Sequence, residues 1–381
     1  MTPAPIFDSL ETLRTRTSAK WTVFEPDVLP LPVAEMDFQL AEPIAETLMA
    51  AIRRSDTGYQ FPHTALPEAF AAFAGRRWNW TVDPGQVWTT TDVSVAIVET
   101  LRRVAPVGSE VVVNPPIYPP FFDLIPEAGH RVKEVPLAPD GAGAWMIDLD
   151  GLEAAFAGGA RAFLLCNPHN PLGLPHSRET LAAVAELAQR YDVAVVSDEI
   201  HGPLTYPDAT FTPFLDVSDA ARRQGVCVTA ASKGWNIAGL KCALMVTAHP
   251  NKATIVGGMP DEVNWRTSIF GYLASVAAFS QAEEWLDSAL VQLRSNRSLL
   301  GNLLAEHLPG VRYAEPQASY LAWLDLRALG WGDDPSAHAL ESARVALNPG
   351  PTFGAEGNGF VRLNFACSPE ILVEAVTRLA G

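Results

Sequence analysis

The sequence lacks a long apolar run: nowhere in its 381 residues do roughly 18 hydrophobic side chains follow one another, as a membrane-spanning helix requires. The opening stretch "MTPAPIFDSLETLRTRT" has no continuous apolar segment and no cleavage pattern, so a cytoplasmic protein is expected. Basic residues are in deficit, 27 against 43 acidic, and the net charge of −16 repels phosphate backbones and anionic lipid heads. Neither nucleic-acid nor membrane partners are expected. Cysteine is scarce, and Cys166, Cys227, Cys242 and Cys367 are widely spaced, which reads as buried thiols in a reducing compartment rather than a disulfide framework. No HExxH or CxxC spacing supports a metal site, and no GxGxxG or GxxxxGK[ST] follows a strand. Dinucleotide and nucleoside-triphosphate chemistry lose their usual signatures.

What remains is an ordinary globular composition, 48% hydrophobic and 18% charged, in a chain long enough for one large core and a smaller domain. Strand and helix signals alternate through the middle. "RAFLLCNP" and "YDVAVVSDE" flank "SRETLAAVAELAQRYD", which places Leu181, Val184, Leu187 and Ala188 on one helical face with Ser177 as N-cap: a βαβ unit. "EVVVNPP", "GVCVTAAS" and "KCALMVTA" read as further continuously apolar strands, which belong in a sheet covered on both faces. Towards the C-terminus "SYLAWLDL" and "GFVRLNFA" alternate as half-buried strands, and "DPSAHALESARVAL" and "SPEILVEAVTRLA" read as Pro-started helices. The expected architecture is α/β: a large domain over about 45–279 with a mostly parallel sheet, and a smaller α+β domain formed by 1–44 and 280–381.

"TAASKGWNIAGLK" sets Lys233 directly after an apolar run, an unusual place for a charge. A lysine there is either exposed in a loop or desolvated toward its neutral, nucleophilic amine, able to form a Schiff base with an aldehyde. In doubly wound sheets ligands bind beyond the carboxyl ends of the strands. Those ends carry Asn114 and Tyr118, Asn167 and Asn170, Asp198 and His201, and Ser232 and Lys233. Taken singly, Asp198 reads equally as a strand-end cap, His201 as a core histidine, Asn170 as a turn residue and Tyr118 as packing. Together they are the set that pyridoxal 5'-phosphate uses: a lysine, an acid for the ring nitrogen, a donor for the phenolic oxygen, an aromatic over the ring, and groups for the phosphate.

"SDEIH" followed 35 residues later by Lys233, with "CNPHNPLG" upstream and "GFVRLNFA" near the end, resembles the fold-type I pyridoxal-phosphate enzymes of the class I/II aminotransferase group. "KW" at Lys20–Trp21, "LPLPVAEMDF", "GYQFP" and "PPIYPPFF" resemble its MalY/PatB branch of cystathionine β-lyase-like carbon–sulfur lyases. The resemblance spans about residues 14 to 378, and it implies a large domain with a seven-stranded sheet. By this resemblance Lys233 would carry the cofactor and shuttle the Cα proton, and Asp198 would pair with the ring nitrogen. Asn170 and His201 would adjoin the phenolic oxygen, and Tyr118 would stack on the ring and assist the leaving group. Phosphate contacts would come from the amides of Asp92 and Val93, from Ser232 and from Lys241, with Tyr59 entering from the neighbouring subunit of a homodimer. Arg362, together with Asn170 and Tyr59, would receive the substrate. From pattern alone Arg362 is as readily an outward-facing residue of a half-exposed strand; the resemblance makes it the clamp for the α-carboxylate.

Two positions depart from the usual pattern. Asp92 stands where relatives often have glycine, so its amide rather than its side chain is expected at the phosphate. Lys241 stands where many have arginine, offering a point charge in place of a fork. The implied reaction is α,β-elimination of L-cystathionine or another S-substituted L-cysteine to thiol, pyruvate and ammonia. Transamination of L-amino acids is the alternative within enzymes, and a cofactor-binding metabolic regulator the alternative outside them.

Overall fold

The computed structural model describes residues 7–61, 63–139 and 145–381. At its centre is a seven-stranded sheet with strands in the order Val87–Thr90, Ala243–Val246, Gly225–Thr229, Ala194–Asp198, Ala162–Cys166, Glu110–Val113 and Arg131–Glu134. Ala243–Val246 runs antiparallel to both its neighbours, and the pairings from Gly225–Thr229 outward to Arg131–Glu134 are parallel. This is the expected α/β sheet. Every residue of the three central strands Ala162–Cys166, Ala194–Asp198 and Gly225–Thr229 is buried.

Alternation of side chains divides the core between the two faces. Leu164, Val196 and Val228 join Val93, Ile97 and Leu101 of the helix Val93–Val104 on one side. Phe163, Leu165 and Val195 join Leu181, Val184 and Leu187 of the helix Arg178–Tyr191 on the other. The Ser177 hydroxyl caps that second helix by accepting the Thr180 amide, and Asp192 ends it in a left-handed conformation. Because the helices cover both faces, a ligand can reach these strands at their ends, and the carboxyl ends border a cavity.

A smaller four-stranded antiparallel sheet orders Arg312–Tyr313, Leu321–Asp325, Phe360–Asn364 and Asn348–Pro349. Here the expected half-burial is corrected. Phe360–Asn364 is buried at every residue and Leu321–Asp325 at all but the last. Val361 and Leu363 enter the main core; on the other face Phe360 and Trp323 stack at 5.2 Å beside Phe353 and Leu172, so both sides are covered. A second correction concerns "DPSAHALESARVAL". Its helix stops at Ala343, Arg344 turns the chain at φ 55°, and Val345–Ala346 becomes a strand parallel to Leu29–Pro30. That pairing ties the N-terminal segment to the C-terminal part, and the Asn364 amide donating to the Leu31 carbonyl extends it. Among the described residues no helix is long and apolar enough to cross a membrane.

Candidate active site

A cavity of about 560 Å³ lies at the carboxyl ends of the central strands. Asp92, Val93, Tyr118, Asn170, Asp198, His201, Ser232, Lys233, Lys241 and Arg362 all line it. Tyr59 does not: it is 90% exposed and stands outside this chain's own cavity.

Lys233 follows the strand Gly225–Thr229, and the loop that carries it is pinned two residues on by Trp235. The Trp235 indole is fully buried, packs on Phe73 and Phe279 with ring centroids 5.5 and 5.2 Å away, and donates to the Ala282 carbonyl at 2.8 Å. Truncating such a side chain costs about 3–5 kcal/mol, so the loop is anchored by core packing. Lys233 Nζ donates to the Ala34 carbonyl at 2.9 Å. Burial, reinforced by the positive charge of Arg362, lowers its pKa to about 8.

Asp198 closes the strand Ala194–Asp198, where Oδ1 accepts the Ile200 amide at 3.1 Å. Burial pushes its carboxyl up to about 7, against the pull of that amide and of Lys233. His201, one turn on, is held neutral: burial, then Lys233 and Arg362, bring it down to about 3, and its Nδ1 has no partner. Tyr118 lies edge-on to Phe121 with centroids 5.8 Å apart, and burial raises its phenol.

Arg362 turns inward and is 3% exposed. Nη1 donates to Asn170 Oδ1 at 3.1 Å and Nη2 to the Pro32 carbonyl at 2.9 Å, while Nε is buried without a partner. Burial lowers it to about 10, which leaves it charged at neutral pH. The guanidinium also lies over the Phe353 ring at 5.1 Å, and its hydrogen-bond partners are neutral oxygens, so it has unspent capacity for an anion.

Asp92, which also lines the cavity, is the N-cap of the helix Val93–Val104. Its side chain is engaged at that helix start. Oδ1 accepts the Val95 amide at 2.9 Å, and Oδ2 pairs with Lys241 Nζ at 3.0 Å. Lys241 itself has a left-handed backbone, φ 62°.

Sequence reasoning singled out "LPLPVAEMDF" as part of the resemblance but gave none of its residues a role; Pro32, Val33 and Ala34 line the cavity. Pro32 and Ala34 offer their carbonyls to Arg362 and Lys233; Asn364 Nδ2 donates to the Val33 and Glu35 carbonyls, and Asn236 bonds Met36 through both its oxygen and its nitrogen. Beneath it Lys20 and Asp37 form an ion pair at 2.7 Å, with side chains 1% and 0% exposed. Tyr320, fully buried, donates to the same Ala34 carbonyl at 2.9 Å. The quoted motifs contained Lys20 and Asp37, but the carbonyls that meet Lys233 and Arg362 are backbone atoms, which leave no signal of their own.

Residues 26–379 match the aminotransferase class I and II family. Cystathionine beta-lyase of Corynebacterium glutamicum is 36% identical over 98% of this chain and 99% of its own, and cystathionine beta-lyase PatB of Bacillus subtilis is 33% identical over 98% of each. The chain belongs to this family, in its MalY/PatB-like branch. The crystal structure of cystalysin from Treponema denticola, which contains a pyridoxal 5'-phosphate cofactor, superposes with a TM-score of 0.90 at 25% identity, covering 100% of this chain and 98% of that one. The family membership thus agrees with the convergence of an amine, an acid and an inward arginine on one cavity.

Proposed function

We propose that this enzyme is a carbon–sulfur lyase that eliminates the sulfur substituent from L-cystathionine or a related S-substituted L-cysteine, releasing thiol, pyruvate and ammonia. The cofactor is pyridoxal 5'-phosphate. The residues fit it: a lysine with a lowered pKa and a buried acid face one cavity, with His201 Nδ1 and Arg362 Nε still lacking partners. When bound, the cofactor supplies an aldehyde that condenses with amines and a ring that draws electrons from the substrate's Cα.

The protein's own groups do the rest. Lys233 would hold the cofactor and, as a free amine, take the Cα proton; a pKa near 8 makes it a base at neutral pH without leaving it permanently charged. Asp198 keeps the ring nitrogen protonated. Asn170 and His201 would hold the cofactor on its phenolic-oxygen side, and Tyr118, which lines the same cavity, would pack against it and assist the departing sulfur. Ser232, Lys241 and the amides of Asp92 and Val93 hold the phosphate at a helix N-terminus. Arg362 binds the substrate α-carboxylate beside Asn170, and this fixes the Cα–H bond relative to the ring.

Tyr59 belongs to the site of a second copy. With Phe61 57% exposed nearby, it presents aromatic surface that a homodimer would cover. The site is complete only in that dimer.

The observation that carries the reading is the inward Arg362 with free donor capacity opposite a partly neutral Lys233. Its support as a lyase comes from the relatives named cystathionine beta-lyases. Incubation with L-cystathionine and no keto acid tests it. Stoichiometric thiol and pyruvate over many turnovers is expected; conversion of the cofactor to its amine form after one turnover would make the protein a transaminase instead.

A further inference from the structure

We propose that Asp92 is a built-in competitor for the cofactor's phosphate, a specificity-determining residue that loosens the phosphate end of the site. The inference rests on the functional reading above. Three features there attract an anion: the first-turn amides of the helix Val93–Val104, the positive end of its dipole, and Lys241. A carboxylate of this same chain already answers them. Asp92 Oδ1 takes the Val95 amide at 2.9 Å and Oδ2 takes Lys241 Nζ at 3.0 Å.

The occupation is partial. Capping uses only the third amide of the helix, so the amides of Asp92 and Val93 assigned to the phosphate above are not taken by the cap and remain for it, with that of Ser94 beside them. A phosphate dianion entering there meets the charge of Asp92 and must share Lys241 with it. The Lys241 and Asp92 side chains are 54% and 32% exposed, so solvent screens the repulsion and binding is weakened, not abolished. Both effects have one sign: removing the negative charge tightens the hold on the phosphate and releases Lys241 to serve it.

Asp92→Asn tests this, because asparagine caps a helix as well as aspartate does but carries no charge. The stripped protein is titrated with pyridoxal phosphate and, separately, with pyridoxal, which has no phosphate, and cofactor release from the loaded protein is timed. In Asp92→Asn the dissociation constant for pyridoxal phosphate is expected to fall by about three- to fivefold and release to slow, with pyridoxal affinity unchanged within error. Lys241→Gln should weaken pyridoxal phosphate binding more in the Asp92→Asn background than in the unsubstituted protein, since only there is Lys241 free of its partner. Asp92→Ser, a shorter neutral cap, repeats the measurement should asparagine disturb folding. Unchanged or weaker pyridoxal phosphate binding in both cap variants, or an equal change for pyridoxal, overturns the proposal. Failure of the unsubstituted protein to bind either compound would instead sink the cofactor assignment and the inference with it.

Discussion

The ε-amino group of Lys233 and the hydroxyl of Tyr320 donate to one acceptor, the carbonyl oxygen of Ala34, each at 2.9 Å. Lys233 lies in the loop after the strand Gly225–Thr229 and Tyr320 immediately before the strand Leu321–Asp325, while the segment that supplies the carbonyl comes from the N-terminal part of the chain. A carbonyl shared with a hydroxyl stabilises an ammonium less than one that serves it alone. Tyr320 is therefore expected to act through Ala34 on the protonation of Lys233, as a positioning residue.

This relationship has a readable pH signature. With a pKa of about 8, Lys233 is a free amine in roughly one molecule in ten at pH 7, against about one in several thousand at its usual value. The rate at which stripped protein takes up pyridoxal phosphate should rise with pH and level off just above 8. In Tyr320→Phe the midpoint should move upward by as much as about one pH unit, because the ammonium keeps the carbonyl to itself. An unmoved midpoint would deny Tyr320 this role.

Asp198 gives a prediction about stability. Its folded pKa, about 7, lies above the unfolded value of 3.8, so the proton it binds favours the folded state fully below about pH 4, and that contribution is lost as pH rises through 7. Without cofactor, Asp198→Asn should therefore be more stable than the unsubstituted protein at pH 8, by up to a few kcal/mol, and no more stable at pH 4. Thermal unfolding at the two pH values checks this. In the loaded enzyme the same substitution should slow turnover about a thousandfold or more, roughly 4 kcal/mol of barrier, because the ring nitrogen loses its acid. Near-normal turnover would place the ring acid elsewhere.

Arg362→Ala should lower kcat/KM for L-cystathionine and for S-alkyl cysteines by a similar factor, since the carboxylate it binds is common to all of them. Arg362→Lys should recover only part of the loss, because an ammonium cannot reproduce the planar fork. Harm confined to one substrate would mean that Arg362 reads the side chain.

The dimer is tested by complementation. Lys233→Ala and Tyr59→Phe are each expected to be inactive or strongly impaired as homodimers. Dissociated and reassociated together, they should regain activity, because one site of each hybrid has its own Lys233 and the partner's native Tyr59. No gain over the separate proteins, with hybrids shown to form, would place Tyr59 outside the partner's site.

The local information in this chain was sufficient wherever structure follows from neighbours along the sequence. Ser177, Asp334 and Ser368 cap helices as their spacing predicts, and the unbroken apolar strands are buried on both faces. Because such a sheet binds ligands at its carboxyl ends, the same reading brought Tyr118, Asn170, Asp198, His201 and Lys233 to one place. Tertiary structure decided what periodicity cannot register. Alternation in Phe360–Asn364 suggested one wet face, but Phe353 and Leu172 cover it, so Arg362 is buried and its charge becomes available inside the cavity. Asp92 lies 149 residues from Lys241, and no pattern in either segment announces their ion pair. The Ala34 carbonyl between Lys233 and Tyr320 is a backbone atom, present at every residue and distinguished only by where the fold carries it.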